Sequence, residues 1–161
     1  MRKSKTPCCT SALPEVFRVP TAYFTDRDLG KKFPDILRAA GLSVERHADH
    51  FAQDCPDPDW LREIGKRGWV AITHDGRIRY KPNELAAVVE HRVALLVMIG
   101  HAPYAKLAHA FVATQARIEH FLEQHKPPFI AKVYRHSASG KANDLTAPGR
   151  IELWYPQAGG R

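Results

Sequence analysis

The sequence predicts an α/β domain on a mostly parallel sheet, and three observations carry that expectation. Short apolar runs alternate with amphipathic segments from about residue 22 to residue 134. The first two helical segments stop at glycines, Gly41 and Gly68, as helices do where a left-handed residue must end them. The chain has 161 residues, 44% of them hydrophobic, with three Trp, enough for one core without staples.

In order, Ala22–Thr25 reads as a strand, Lys31–Ala40 as a helix ended by Gly41, and Leu42–Arg46 as a second strand. After a loop, Asp57-Pro58-Asp59 starts a helix that runs to Arg67, with Pro at a first-turn position where its missing N–H costs nothing. Trp69–Thr73 is the next strand, followed by a short basic turn through Arg79, a helix over Asn83–Glu90 and a strand over Arg92–Ile99. A long helix from about Ala102 to Gln124 follows, with an apolar stripe of Ala105, Ala108, His109, Val112, Ala116, Ile118, Phe121 and Leu122. Any surplus of that face is a surface for a homodimer or another partner. Phe129–Tyr134 closes the alternation, and Ile151–Tyr155 reads as an edge strand. Such alternation calls for helices on both faces of the sheet. The expected organisation is a basic arm over 1–18 and one domain over 19–161, with a flexible loop at about 136–150.

Composition excludes several classes. No apolar run approaches the ~20 residues of a membrane span, and no apolar segment follows Arg2, Lys3 and Lys5 to make a secretory signal; the expected location is the cytoplasm. Cys8, Cys9 and Cys55 offer neither a disulfide framework nor zinc spacing. The net charge of +7 is spread thinly, but ten of the seventeen acids lie between Asp26 and Asp75, while residues 76–135 carry four acids against nine Lys and Arg. An acidic centre in a basic frame suits a metal that works on a polyanion.

Within that acidic stretch, Asp26, Asp57 and Asp75 stand where elements end or begin on the carboxyl edge of the sheet. Carboxylates gathered there repel unless a cation joins them, and Mg²⁺ or Mn²⁺ accepts such ligands while leaving positions for phosphate oxygens. Asp57 also has the makings of a helix cap, and Asp75 of a turn residue. Lys31, Arg77 and Arg79 are candidates to hold the backbone of a nucleic acid.

The string Tyr23-Phe24-Thr25-Asp26-Arg27-Asp28-Leu29-Gly30-Lys31-Lys32, with Asp49-His50-Phe51, Asp57-Pro58-Asp59-Trp60 and Gly68-Trp69-Val70-Ala71-Ile72-Thr73-His74-Asp75-Gly76-Arg77-Ile78, resembles the PIN-like domains related to VapC toxins. The resemblance covers about residues 22–134 and rests on the order and spacing of these motifs. It implies a three-layer α/β/α sandwich and a Mg²⁺- or Mn²⁺-dependent ribonuclease. It also implies pairing with an antitoxin, and metal binding by Asp26, Asp57 and Asp75. Asp28 stands where the family more often carries Asn; Asp28, Asp59, Glu63 and Asp49 are the candidates for a fourth acid or for a supporting role around the metal. Two other readings compete. One is a catalytically silent PIN-like module that binds RNA or protein. The other is a phosphatase of the haloacid dehalogenase type, similar in Asp26-Arg27-Asp28 and in the strand-end hydroxyl of Thr73, with Gly30 against it.

Overall fold

The computed structural model describes residues 20–136 and 146–157; the arm over 1–18 and most of the loop at 136–150 lie outside the described residues. Among the described residues six strands form one sheet: β1 (Ala22–Thr25), β2 (Ser43–Arg46), β3 (Val70–Thr73), β4 (Ala94–Ile99), β5 (Phe129–Tyr134) and β6 (Arg150–Tyr155). Their order is β2-β1-β3-β4-β5-β6. The first five are parallel, and β6 joins β5 antiparallel at the edge. The helices are α1 (Lys32–Ala39), α2 (His47–His50), α3 (Asp57–Arg67), α4 (Pro82–Glu90), α5 (Tyr104–Ala113) and α6 (Gln115–Gln124), with 3₁₀ turns at Arg27–Leu29 and Gly76–Tyr80. The architecture is the three-layer α/β/α arrangement that the alternation predicts.

Side-chain alternation divides the core in two. Tyr23, Val70, Ile72, Leu96 and Met98 face α1, α5 and α6 through Phe33, Leu37, Leu107, Phe111 and Ile118. Their neighbours Phe24, Ala71, Leu95 and Val97 face α3 and α4 through Trp60, Leu61, Ile64 and Val88. A strand buried on both sides reads as a continuous apolar run, which is why Ala94–Ile99 carries no polar residue. The α1 crossover lies on one face and the α3 crossover on the other, so the chain reverses direction between β1 and β3, where clefts form outside the carboxyl ends of the strands.

Three expected elements differ. The long helix breaks at Thr114, whose buried hydroxyl donates to the Ala110 carbonyl at 2.6 Å and accepts the Gly149 amide at 3.0 Å. Such back-bonding bends helices, and it leaves His109 and Ala116 of the expected stripe exposed. The strand expected from Arg92 begins at Ala94, because Arg92 takes a left-handed φ of 56° at the end of α4. Asp57 occupies the first turn of α3 behind Pro56, and its side chain makes no cap. Among the described residues no helix is long and apolar enough to cross a membrane.

Candidate active site

β1 and β3 end side by side, and the Asp26 amide donates to the Ile72 carbonyl at 2.9 Å, extending their register by one residue. The next turn is tight. Asp26 Oδ1 accepts the Arg27 amide at 2.7 Å and so caps the 3₁₀ turn that carries Asp28. From β3, the wholly buried Thr73 hydroxyl reaches Asp26 Oδ2 at 3.0 Å and Asp28 Oδ2 at 3.1 Å. Asp28 Oδ2 also accepts the His74 amide at 3.1 Å, and Thr73 Oγ1 accepts the Asp75 amide at 3.2 Å.

A hydroxyl has one proton, so Thr73 donates to one of these carboxylates and cannot serve both. The second contact is satisfied when that carboxyl is itself protonated and donates back. Burial above all, and then the Asp28 charge, push the Asp26 carboxyl up to about 7, against the Thr73 hydroxyl and Arg27 amide, which oppose the rise. Asp28 is raised as well, by burial above all. The pair therefore holds a proton near neutral pH. Asp28 Oδ1 is buried without a hydrogen-bond partner, an oxygen that a cation would satisfy.

The other two expected ligands are near but engaged. Asp57 Oδ1 accepts from Arg27 Nη2 at 3.1 Å and from Trp60 Nε1 at 2.9 Å. Arg27 also reaches His47 Nε2 at 2.8 Å and the Cys55 carbonyl at 2.9 Å with Nη1. That contact makes Nε2 an acceptor, so His47 is neutral with its proton on Nδ1; burial and the Arg27 charge both lower its pKa. Asp75 accepts the Arg77 amide and Nε on Oδ1, at 3.0 and 3.2 Å, and Lys81 Nζ on Oδ2 at 3.0 Å. Burial alone would raise its pKa, but the bonds from Lys81 and Arg77 outweigh it and hold the carboxyl below the usual range.

Of the expected ligands Asp26, Asp57 and Asp75, the second is thus engaged by Arg27 and the third by Arg77 and Lys81. Among the described residues no group of three or more His, Cys, Asp and Glu side chains stands as a metal site. What fits a small oxygen-seeking cation is the Asp26–Asp28 pair, since Mg²⁺ is commonly held by one or two carboxylates plus water and phosphate. Of the other candidate acids, Asp49 pairs with Arg38 at 3.7 Å, Asp59 with Arg62 at 3.8 Å and Glu63 with Arg67 at 3.1 Å, all on partly exposed helical surface. Lys31 and Arg77 are exposed, Arg77 on Asp75. Arg79 is used in packing: its guanidinium lies 5.3–5.8 Å from the ring centres of Tyr80, Trp154 and Tyr155.

Sequence reasoning gave no role to Arg27 or His74. His74 Nε2 donates to the Gly100 carbonyl at 2.9 Å, its ring edge-on to Tyr104, which ties the end of β3 to the end of β4. The only sequence signal for Arg27 was its place between two aspartates.

Comparison with the curated proteins and with the solved structures finds no match. A family model described as a PIN like domain matches residues 21–100, which hold β1 to β4 and every carboxylate discussed above. PIN-like domains form a nuclease-type superfamily, and the six-stranded, mostly parallel sheet with its acidic carboxyl edge agrees with that match: through residues 21–100 this chain belongs to the PIN-like domain family.

Proposed function

We propose that the chain is a Mg²⁺- or Mn²⁺-dependent endoribonuclease, working as the toxin of a toxin–antitoxin pair of the VapC kind, with RNA as substrate and an antitoxin as partner. One observation carries the reading: the buried Asp26 and the half-buried Asp28 meet on a single hydroxyl at the reversal point of the sheet, with an orphaned oxygen on Asp28 and the Asp26 carboxyl pushed up to about 7. Asp26 and Asp28 would hold the ion, which when bound supplies an activated water and neutralises charge growing on the scissile phosphate. Thr73 and the His74 amide fix the two carboxylates before any ligand arrives, so that no reorganisation is left for the reaction. Asp26 gives up its proton as the site is loaded. Asp75, held ionised by Lys81 and Arg77, and Asp57, held by Arg27, stand at the rim, and exchange of these internal cations for a second ion would bring them into the ligand set. Lys31 and Arg77 face the solvent where an RNA backbone would pass.

A second reading has its own observation. With Arg27 on Asp57 and Lys81 on Asp75, the internal cations could stand permanently for metal, leaving a silent PIN-like module that only binds. Mn²⁺ titration followed by an RNA cleavage assay separates the two. The nuclease cuts with metal and loses nearly all activity in both Asp26→Asn and Asp28→Asn. Binding of RNA without cleavage at any Mn²⁺ concentration would establish the silent module.

A further inference from the structure

We propose that the opposite, amino-terminal edge of the sheet is a binding site for an organic phosphate monoester of nucleoside monophosphate size. A cavity of about 420 Å³ opens there, where β1, β3, β4 and β5 begin and α3 and α6 end; this is within the range of small-ligand pockets. Its walls combine the apolar Leu122 and Phe129 with three nitrogen bases, Arg67, Arg92 and His125, and no carboxylate is among the described residues that line it. Three separate elements thus supply cationic or donor groups to one concavity, which suits a dianion better than a carboxylate.

The backbone adds an independent sign. Helices α3 and α4 end in the same hydrogen-bonded turn: Trp69 N to Ile64 O at 3.3 Å with Gly68 N to Gly65 O at 3.2 Å, and Val93 N to Val88 O at 3.0 Å with Arg92 N to Val89 O at 3.4 Å. The turn needs a left-handed residue, for which glycine is the unstrained choice. Gly68 supplies it at φ 69°, but Arg92 supplies it at φ 56°. Arg92 is the one residue other than glycine with positive φ among the described residues, it makes no ion pair among them, and backbone strain of this kind gathers at ligand sites. Arg67 is already immobilised, with Nε on Glu63 at 3.1 Å and its guanidinium 4.8 Å from the Trp69 ring centre. His125 donates Nδ1–H to the Phe121 carbonyl at 3.0 Å, which leaves Nε2 to donate to a phosphate oxygen when the ring is the imidazolium.

The site is independent of the chemistry at Asp26, and the test keeps them apart. Thermal unfolding and calorimetry of the full chain, with EDTA present, are run with AMP and UMP, and with inorganic phosphate and adenosine as controls. AMP or UMP should raise Tm by several degrees, each control by far less. Arg92→Gly should unfold roughly 2–4 °C higher than wild type without ligand, through relief of the strained φ, yet lose the nucleotide shift. Arg92→Asn, which tolerates the left-handed turn, should lose it as well, and Asp26→Asn should keep it. No shift with either nucleotide would overturn the proposal. So would a shift that survives both Arg92 variants, or one that disappears in Asp26→Asn, which would place binding at the acidic edge instead.

Discussion

Replacing Asp26 by Asn should make the metal-free protein more stable, and only above mildly acidic pH. A carboxyl whose folded pKa lies above its unfolded value favours the folded state while it is protonated. That stability is complete below the unfolded value and is lost as pH rises through the folded one. For Asp26 the window runs from the ordinary 3.8 to about 7. At about 1.4 kcal/mol per pH unit, the rise is worth about 4 kcal/mol as an upper figure, since it assumes that the carboxylate stays buried once ionised. The Asn variant keeps an oxygen for the Arg27 amide and turns its NH₂ towards Thr73 Oγ1, which can accept, so the two bonds of Asp26 retain counterparts. Urea unfolding of both proteins in EDTA, at pH values from about 4 to about 8, measures the effect. The curves should nearly coincide at the acid end and diverge until the variant leads by about 2–4 kcal/mol at the alkaline end. Mn²⁺ near pH 8 should then stabilise wild type and leave the variant unmoved. A variant no more stable than wild type near pH 8 would refute the argument, because it would mean that Asp26 ionises in the folded protein without cost.

Gly65→Ala should lower stability by about 1–3 kcal/mol and Tm by several degrees, because a Cβ there would lie 2.1 Å from the backbone oxygen of His91 and force α3 from the end of α4; an unchanged melting curve would show that the helix end yields freely. Arg27→Met leaves Asp57, His47 and the Cys55 carbonyl without their shared donor, at a cost of about 1–3 kcal/mol, and should tighten Mn²⁺ binding by releasing Asp57. Calorimetry giving unchanged Mn²⁺ affinity would remove Asp57 from the metal's reach. Tyr23→Phe removes the hydroxyl that donates to Glu119 at 2.7 Å and accepts from Gln115 at 2.8 Å, tying β1 to α6; chemical denaturation should register a loss of about 1–2 kcal/mol.

The sheet was legible because buried parallel strands have a local signature: Val70, Ala71 and Ile72, like Ala94–Ile99, are apolar on both faces, and Gly41 and Gly68 mark where helices stop. What escaped depends on contacts across long separations. Nothing near Thr114 in sequence announces that the Gly149 amide will bond its hydroxyl and help to split one helix into two. The site behaves the same way. That Asp26 and Asp75 sit on the carboxyl edge follows from strand ends, and the family resemblance agrees with the match over residues 21–100. Which acids meet is decided by one hydroxyl on β3 and one guanidinium on the turn after β1. Asp28 stood among the candidates for a fourth acid or a supporting role, and it accepts the Thr73 hydroxyl and the His74 amide.

The antiparallel strand β6 completes a sheet that the family match leaves open. A fragment ending at residue 100 would finish on β4, whose six residues are paired to β5 along their whole length in the intact chain. Cut there, Ala94–Ile99 becomes a bare border with unsatisfied amides and carbonyls and apolar side chains on both sides, a template for pairing between molecules. Such a fragment should aggregate, although it contains every acid of the candidate site. In the intact chain the outermost position passes to β6, half-exposed, carrying Arg150 and Glu152 and broken in register near Ala131, features that discourage addition of a further strand. Strands β5 and β6 therefore act as the covering of the border that β4 would otherwise leave bare.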